Sequence, residues 1–123
     1  MTVLDKYFEL SDRAVFDESA FGELVDLFAE QAEVEPSGGS KVQGKVAIAE
    51  LYKVFFQMYK GLQRVWTVSS TETGLEAAWA IAGQHHDGKI FSMQGSHEAQ
   101  LDSHGKIFTL KVRVAGNESL HVD

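Results

Sequence analysis

The sequence predicts an α+β protein in which three helices are followed by an antiparallel meander of strands. Two observations lead to this prediction. Apolar residues recur at helical spacing three times before residue 61, and from Arg64 onward alternating runs are split by short polar turns. At 123 residues the chain has the length of one domain, so residues 1–123 are expected to form a single unit.

Each predicted helix has one apolar stripe. The stripes are Leu4, Tyr7, Phe8, Ser11 and Val15; then Phe21, Leu24, Val25 and Phe28; then Val46, Ile48, Leu51, Tyr52, Phe55 and Tyr59. Asp17 begins a capping signal for the second helix, and Gly61 is the expected stop of the third. Between these two helices, residues 32–36 alternate like a strand that ends at Pro36, with Val34 facing inward.

Four runs predict the meander: residues 65–71, 77–86, 89–101 and 106–114. The tail, residues 117–123, is expected to fray.

The turn Asp87-Gly88 sets the faces of the sheet. If it is a two-residue hairpin loop, Ala78 pairs with His97 and Ala82 with Met93. The alanines then face inward together with Phe91, Met93 and His97, and their small side chains leave room for a cavity. Trp79 and Ile81 would face outward and form a homodimer surface. A bulge in either strand would reverse this parity and turn Trp79 inward.

Composition limits the partners. The 18 acidic and 11 basic residues give a net charge of −7, which argues against nucleic acid and anionic membranes. There is no cysteine, and we see neither a signal peptide nor an apolar run of membrane-spanning length. We therefore expect a cytoplasmic protein that uses no cofactor.

Three segments carry a resemblance to a known family: LFAEQA at residues 27–32, GKVAI at 44–48 and LDSHGKI at 101–107. In this order they resemble the SnoaL-like branch of the nuclear transport factor 2-like superfamily, and the match runs from Tyr7 to Val114. The resemblance implies a cone-shaped α+β barrel, with the helices packed on a curved antiparallel sheet around a ligand cavity. The same fold hosts isomerases, cyclases, dehydratases and binding modules, so it does not define a function.

Ketosteroid isomerase and the polyketide cyclases are the relatives with the clearest chemistry. The resemblance places Pro36 at the isomerase base position in an ungapped match, or Glu35 after a shift of one residue. It places His97 at the neutral acid and Tyr7 at the tyrosine donor. The pair of acids is therefore not preserved, and the protein is expected to lack steroid-isomerase activity. Tyr7, Glu35 and His97 are the candidate catalytic residues.

His97 is the first site candidate, because an imidazole in an apolar pocket acts as acid or base near neutral pH. Burial is expected to lower its pKa and keep it neutral at pH 7. The competing interpretation is a core histidine held by a hydrogen bond. The residues expected to line an enclosed apolar pocket with His97 are Phe28, Val34, Tyr52, Phe55, Phe56, Tyr59, Trp66, Phe91 and Met93.

No metal site is predicted, because His85 and His86 are adjacent on a strand and point to opposite faces. The sequence favours a protein that binds a small hydrophobic molecule. One alternative is an acid–base enzyme of the isomerase, cyclase or dehydratase type that acts on a small carbonyl compound through His97. A second alternative is a non-catalytic dimeric interaction module.

Overall fold

The computed structural model describes residues 1–120, with side chains described up to residue 115. The helices are α1 (Val3–Ala14), α2 (Glu18–Val25) and α3 (Lys45–Gln57). The strands are β1 (Phe28–Glu35), β2 (Val42–Gln43), β3 (Tyr59–Ser70), β4 (Gly74–His85), β5 (Ile90–Leu101) and β6 (Ile107–Leu120). The predicted α+β class is confirmed.

The helices begin where local hydrogen bonds satisfy their first backbone N–H groups. Thr2 and Asp5 form a capping box, in which the Thr2 hydroxyl accepts from the Asp5 N–H at 3.1 Å. Asp17 Oδ1 accepts from the Ser19 N–H at 3.0 Å, which confirms the predicted cap of α2. A cap of this kind stabilises a helix by roughly 1 kcal/mol. These starts fix α1 and α2 relative to the sheet.

One sheet contains all six strands in the order β2-β1-β6-β5-β4-β3. Strands β3 to β6 pair antiparallel, as predicted. However, β1 pairs parallel with β6, so the sheet is mixed rather than antiparallel. Strands β2 and β3 form its two edges, so the sheet of the described residues is open and the closed barrel implied by the resemblance is not seen.

Several predicted boundaries are wrong by a few residues. Phe28 is the first residue of β1 rather than part of α2, because α2 ends at Val25 and Phe28 pairs with Ile107. Tyr59 and Gly61 lie in β3, where the register with β4 shifts between them. A glycine inside a strand often marks such a bulge, and here it does not stop a helix.

At the carboxyl end, β6 extends to Leu120, whose backbone pairs with Ile90. The fraying expected of residues 117–123 stays a prediction. Residues 121–123 lie outside the described residues.

The β4–β5 hairpin has a three-residue loop, which reverses the predicted faces. His85 N–H donates to the Lys89 carbonyl at 2.9 Å, so residues 86–88 form the turn. Gly88 has φ +94°, the left-handed conformation that closes three-residue hairpins. Ala77 therefore pairs with His97, and Trp79 with Gly95. The one-residue shift moves every side chain of β4 to the opposite face.

Trp79 and Ile81 are consequently buried, with 6% and 3% of their surface exposed. The alanines Ala78, Ala80 and Ala82 lie on the exposed outer face. The prediction of a homodimer through Trp79 and Ile81 is therefore wrong, because neither side chain reaches the surface. The alternative parity, with Trp79 inward, is the one that the structure adopts.

The core lies between the helices and the inner face of the sheet. Its largest fully buried side chains include Phe8, Phe28, Leu24, Ile48 and Leu110. His97 and Ser11 are the buried polar residues among the described side chains. Because Ser11 Oγ donates to the Tyr7 carbonyl at 2.7 Å within α1, it has a local structural role. His97 remains to be explained.

Candidate functional site

A chain of hydrogen bonds runs through the core from β4 to α3. Trp79 Nε1 donates to His97 Nδ1 at 2.7 Å. His97 Nε2 lies 3.3 Å from the Tyr7 hydroxyl, which lies 2.6 Å from the Tyr52 hydroxyl. The four side chains come from β4, β5, α1 and α3, so the chain links the helices to the sheet. The structure therefore brings together three residues singled out from the sequence: Tyr7, Tyr52 and His97.

This arrangement fixes the tautomer of His97. An indole N–H can only donate, so His97 Nδ1 accepts and carries no proton. A neutral imidazole then carries its single proton on Nε2, which donates to the Tyr7 hydroxyl. Neither ring nitrogen has a lone pair free to accept a substrate proton.

The pKa of His97 is lowered to about 3, first by burial and second by the positive charge of Arg64. This is the direction expected from the sequence. A proton added at Nδ1 would also face the N–H of Trp79, which already occupies that position. His97 is thus neutral at pH 7 and is a poor general base.

The four side chains supply one more donor hydrogen than they use in hydrogen bonds with one another. Trp79, His97, Tyr7 and Tyr52 supply four donor hydrogens, and they make three hydrogen bonds with one another. Trp79 donates its N–H to His97, and His97 donates its N–H to Tyr7. The two tyrosines form one hydrogen bond with each other, so one of their two O–H groups has no acceptor within this group. Burial raises the pKa of both tyrosines, so both hydroxyls stay protonated.

Two of the aromatic residues predicted to line a pocket contact Tyr52 of this hydrogen-bonded chain, and others pack on one another. Phe28 and Phe56 pack against the Tyr52 ring, with centroid distances of 5.9 and 6.0 Å. Tyr59 packs against Phe55 and Phe91 at 5.1 and 5.2 Å. Phe28, Val34, Tyr52, Phe56, Tyr59, Phe91 and His97 are buried, while Phe55, Trp66 and Met93 are partly buried.

Two predicted residues have other roles. Glu35 pairs with Lys111 across β1 and β6, with 3.7 Å between their charged atoms, and more than a third of its side chain is exposed. This places its carboxylate away from the buried chain. Trp66 lies near the start of α1, where its Nε1 donates to Asp5 Oδ1 at 2.9 Å. Its polar atom is thereby satisfied by α1 rather than aimed at His97.

The enclosed cavity expected beside His97 stays a prediction: the rings of Tyr7, Phe8 and Trp79 pack around its imidazole, with centroid distances of 5.2, 5.0 and 5.8 Å. Three grooves formed by the described residues are lined by other side chains than His97, Tyr7 and Tyr52. The first, of about 770 Å³, reaches Asp12 and Arg64 and is otherwise lined mainly by exposed residues of the outer sheet face: Gln63, Val65, Ala80, Ala82 and Gln94. The small side chains of the alanines therefore form a trough on the outside of the sheet rather than a cavity inside.

The sequence analysis did not assign three residues to this hydrogen-bonded site: Trp79, Arg64 and Asp12. The Arg64 guanidinium carbon lies 5.0 Å from the ring centroid of Phe8 and 5.0 Å from that of Trp79. Asp12 Oδ2 accepts from the Arg64 backbone N–H at 3.0 Å. A usable signal was the strand parity, because Arg64 lies between Leu62 and Trp66 on one face of β3.

Among the described residues, no group of three or more His, Cys, Asp or Glu side chains is arranged to hold a metal ion. No helix of that part of the chain is long and apolar enough to cross a membrane.

Comparison with known proteins defines the family. An NTF2-like protein of unknown function from Exiguobacterium sp. 255-15 has a TM-score of 0.84 and 30% sequence identity to this chain. The match covers 93% of this chain and 98% of that one. The chain therefore belongs to the NTF2-like family, and the superfamily predicted from the sequence is confirmed. Neither a family model nor a curated protein matches the sequence.

More distant structures share the fold. A candidate polyketide cyclase from Xanthomonas campestris pv. campestris has a TM-score of 0.79 at 16% identity, over 90% of this chain and 86% of that one. A protein from Mycobacterium tuberculosis, solved in complex with estradiol-17β-hemisuccinate, has a TM-score of 0.70 at 15% identity. That match covers 91% of this chain and 93% of the other.

Proposed function

We propose that the protein binds a small, largely apolar molecule that carries an acceptor oxygen, and that Tyr52 donates a hydrogen bond to that oxygen. The observation that carries the proposal is the unused O–H of the tyrosine pair. A buried donor without an acceptor costs roughly 1–3 kcal/mol, so an acceptor supplied by a ligand is stabilising. Tyr52 is assigned to the ligand because it is more exposed than Tyr7, at 7% against 3%.

The surroundings of Tyr52 favour an apolar ligand. Phe28 and Phe56 flank its ring, and Phe21 packs on Phe56 at 6.3 Å. A site of aromatic walls with few polar groups is typical of pockets for small molecules. Since these rings now pack on one another, binding requires some of them to change rotamer, which is common at binding surfaces.

The geometry favours binding over acid–base catalysis. His97 has both nitrogens committed to hydrogen bonds, and its pKa is lowered to about 3. Glu35 is the candidate second acid, and it faces Lys111 instead. Relatives of this fold include a candidate polyketide cyclase and a protein that binds a steroid hemisuccinate, which supports ligand binding or catalysis only in general.

A matched ligand pair tests the proposal. 2-Acetonaphthone carries a ketone, and 2-ethylnaphthalene has the same shape without the oxygen. We expect the ketone to bind the protein about fivefold more tightly, the value of one net hydrogen bond. Binding is followed by two-dimensional NMR of the labelled protein, and the signals of Tyr52 and His97 should shift.

Tyr52→Phe should abolish the preference for the ketone and leave the affinity for the hydrocarbon nearly unchanged. Tyr59→Phe is the matched control, because Tyr59 belongs to the same aromatic cluster but lies outside the hydrogen-bonded chain. Absence of saturable binding by either compound would refute the function. A ketone preference that survives in Tyr52→Phe would refute the role of Tyr52.

The outer face of the sheet supports a homodimer as part of the same proposal. Ala78, Ala80 and Ala82 lie on this face along β4, and Val65 on the neighbouring edge strand β3 is 73% exposed. No helix of the described chain covers this face, because the helices pack on the side of Trp79 and Ile81. A wide, weakly polar surface of this kind is typical of interfaces between subunits.

A further inference from the structure

Arg64 is a partly buried residue whose guanidinium has buried N–H groups without hydrogen-bond partners among the described residues. It lies on β3, the edge strand of the sheet, and its guanidinium is held between the rings of Phe8 and Trp79. Its Nε and Nη1 atoms are buried and have no hydrogen-bond partner among the described residues. None of the ion pairs formed by described side chains includes Arg64. A buried charge without a partner is strongly destabilising.

Asp12, the carboxylate beside Arg64, does not meet this need. Its Oδ2 accepts from the Arg64 backbone N–H, and its Oδ1 is buried without a partner. Burial is the main cause that raises the pKa of Asp12 and the main cause that lowers the pKa of Arg64. Two oppositely charged groups therefore lie close together without forming an ion pair, and three buried polar atoms remain open.

The other side chains around Arg64 are uncharged. Phe8 and Trp79 contact it directly, and its charge acts on His97, Tyr7 and Tyr52, all of which are neutral at pH 7. The two ring faces restrict the orientation of the guanidinium plane, so little conformational entropy is lost when it binds a ligand. This is the arrangement of a preorganised receptor for an oxyanion, in contact with the Trp79–His97–Tyr7–Tyr52 chain.

We propose that Arg64 binds a singly charged oxyanion, a carboxylate or a sulfonate, on the small apolar ligand. The inference rests on the proposed function and further specifies that the ligand carries one negative charge. Asp12 restricts the site to a single negative charge, because its own carboxylate would repel a doubly charged group such as a phosphate monoester. Its free Oδ1 then accepts a hydroxyl or water at the edge of the anion.

Two fluorescent probes with the same apolar frame test this inference. 8-Anilinonaphthalene-1-sulfonate carries one negative charge, and N-phenyl-1-naphthylamine is the same molecule without the sulfonate. A charge-assisted hydrogen bond predicts that the sulfonate probe binds about tenfold more tightly or better. The net charge of −7 opposes nonspecific binding of anions, so such a preference requires a local cation.

Arg64→Gln should remove this preference and leave the affinity for the neutral probe unchanged. Arg113→Gln is the matched control, because it removes the same charge from an exposed position on β6. If Arg64→Gln does not fold, NMR of the wild-type protein still tests whether Arg64 contacts the sulfonate. The side-chain Nε–H signal of Arg64 in ¹⁵N NMR should shift with the sulfonate probe and not with the neutral one.

The outcomes separate this inference from the function on which it rests. Failure of both probes to bind, together with failure of the naphthyl ketone, would refute the proposed function. If the neutral probe binds and the sulfonate probe binds no more tightly, only the role of Arg64 is refuted. Water would then be the partner of the buried N–H groups of Arg64. Equal losses in Arg64→Gln and Arg113→Gln would also refute it, because the effect would then be one of total charge.

Discussion

The Trp79–His97 hydrogen bond converts a potentially basic residue into a neutral one. An imidazole that accepts from an indole in the core has no free lone pair, since its other nitrogen donates to Tyr7. Sequence reasoning placed His97 and Tyr7 in the same site, because helical spacing put Tyr7 on the inner face of α1 and the family resemblance put both residues at site positions. It could not find the indole donor, because a single extra residue in the hairpin loop decides which face Trp79 occupies.

We expect His97 to make folding pH-dependent. Its pKa is about 3 in the folded protein and near 6.5 when unfolded, so the unfolded chain binds more protons between these values. Its contribution to stability is therefore fully present above pH 6.5 and is lost as the pH falls. Between pH 6 and pH 4 the free energy of unfolding should fall by roughly 1.4 kcal/mol per pH unit from this residue alone.

Urea unfolding of wild type and His97→Gln at several pH values measures this contribution. Glutamine keeps an acceptor for Trp79 and does not titrate, so subtraction of the two curves removes the effects of Asp12 and of the surface carboxylates. Parallel curves for the two proteins would show that folding does not shift the pKa of His97, and would contradict the lowered pKa of the folded protein.

Glu35, unlike His97, is expected to contribute little to stability. Its contact with Lys111 is half-exposed, and exposed ion pairs are worth about 0–1 kcal/mol. Glu35→Gln should therefore leave ligand binding unchanged and lower the free energy of unfolding by less than about 1 kcal/mol. Isomerisation of a β,γ-unsaturated ketone by the wild type, lost in Glu35→Gln, would instead establish Glu35 as a base and contradict its outward position.

At the level of elements, regular patterns were predictable and the connections between them were not. The apolar stripes located α1 and α3, and alternation located β3 to β6, with errors of up to about six residues at the start of β3 and the end of β6. The parallel pairing of β1 with β6 has no local signal, because it joins segments about 75 residues apart. Arg64 was overlooked for a related reason: the predicted strand began at Val65, so the parity that turns Arg64 inward was not applied to it.

The β5–β6 pairing depends on a glycine at one position. A Cβ added at Gly95 would lie 2.1 Å from the Arg113 carbonyl oxygen and 2.8 Å from Trp79 Cζ2. Gly95→Ala should therefore displace the strand or the indole and destabilise the protein by about 1–3 kcal/mol. Gly22→Ala in α2 is the control, because a Cβ there meets nothing within 4 Å. It should stabilise the protein by up to ~1 kcal/mol.

Thermal unfolding and near-ultraviolet circular dichroism of the two variants check this expectation. The signal of Trp79 should change in Gly95→Ala, since its indole is the side chain displaced, and should stay the same in Gly22→Ala. An unchanged melting temperature in Gly95→Ala would mean that β5 and β6 do not approach each other as closely at this point.

At the scale of the whole molecule, the reversed sheet parity changes what the surface offers. The large side chains Trp79 and Ile81 are buried in the interior, and the outer face of β4 is left with the small side chains of Ala78, Ala80 and Ala82. The sheet thus has one face that completes the core and another that is accessible. The interior site and the outer face are separated by one layer of backbone.

We expect the protein to form a homodimer through this outer face. Ala80→Arg places a long, charged side chain within the row of alanines on this face, where it would be buried in the interface, and should convert the dimer to a monomer. Its backbone neighbours pair as before, because the alanine side chain points to solvent.

Val54→Arg is the control: Val54 is 59% exposed, and it lies on α3, away from the sheet face. Sedimentation velocity at micromolar concentration distinguishes the two states, and circular dichroism verifies that each variant is folded. A wild type that sediments as a monomer, or a dimer that Val54→Arg disrupts and Ala80→Arg does not, would contradict the assignment of the outer face.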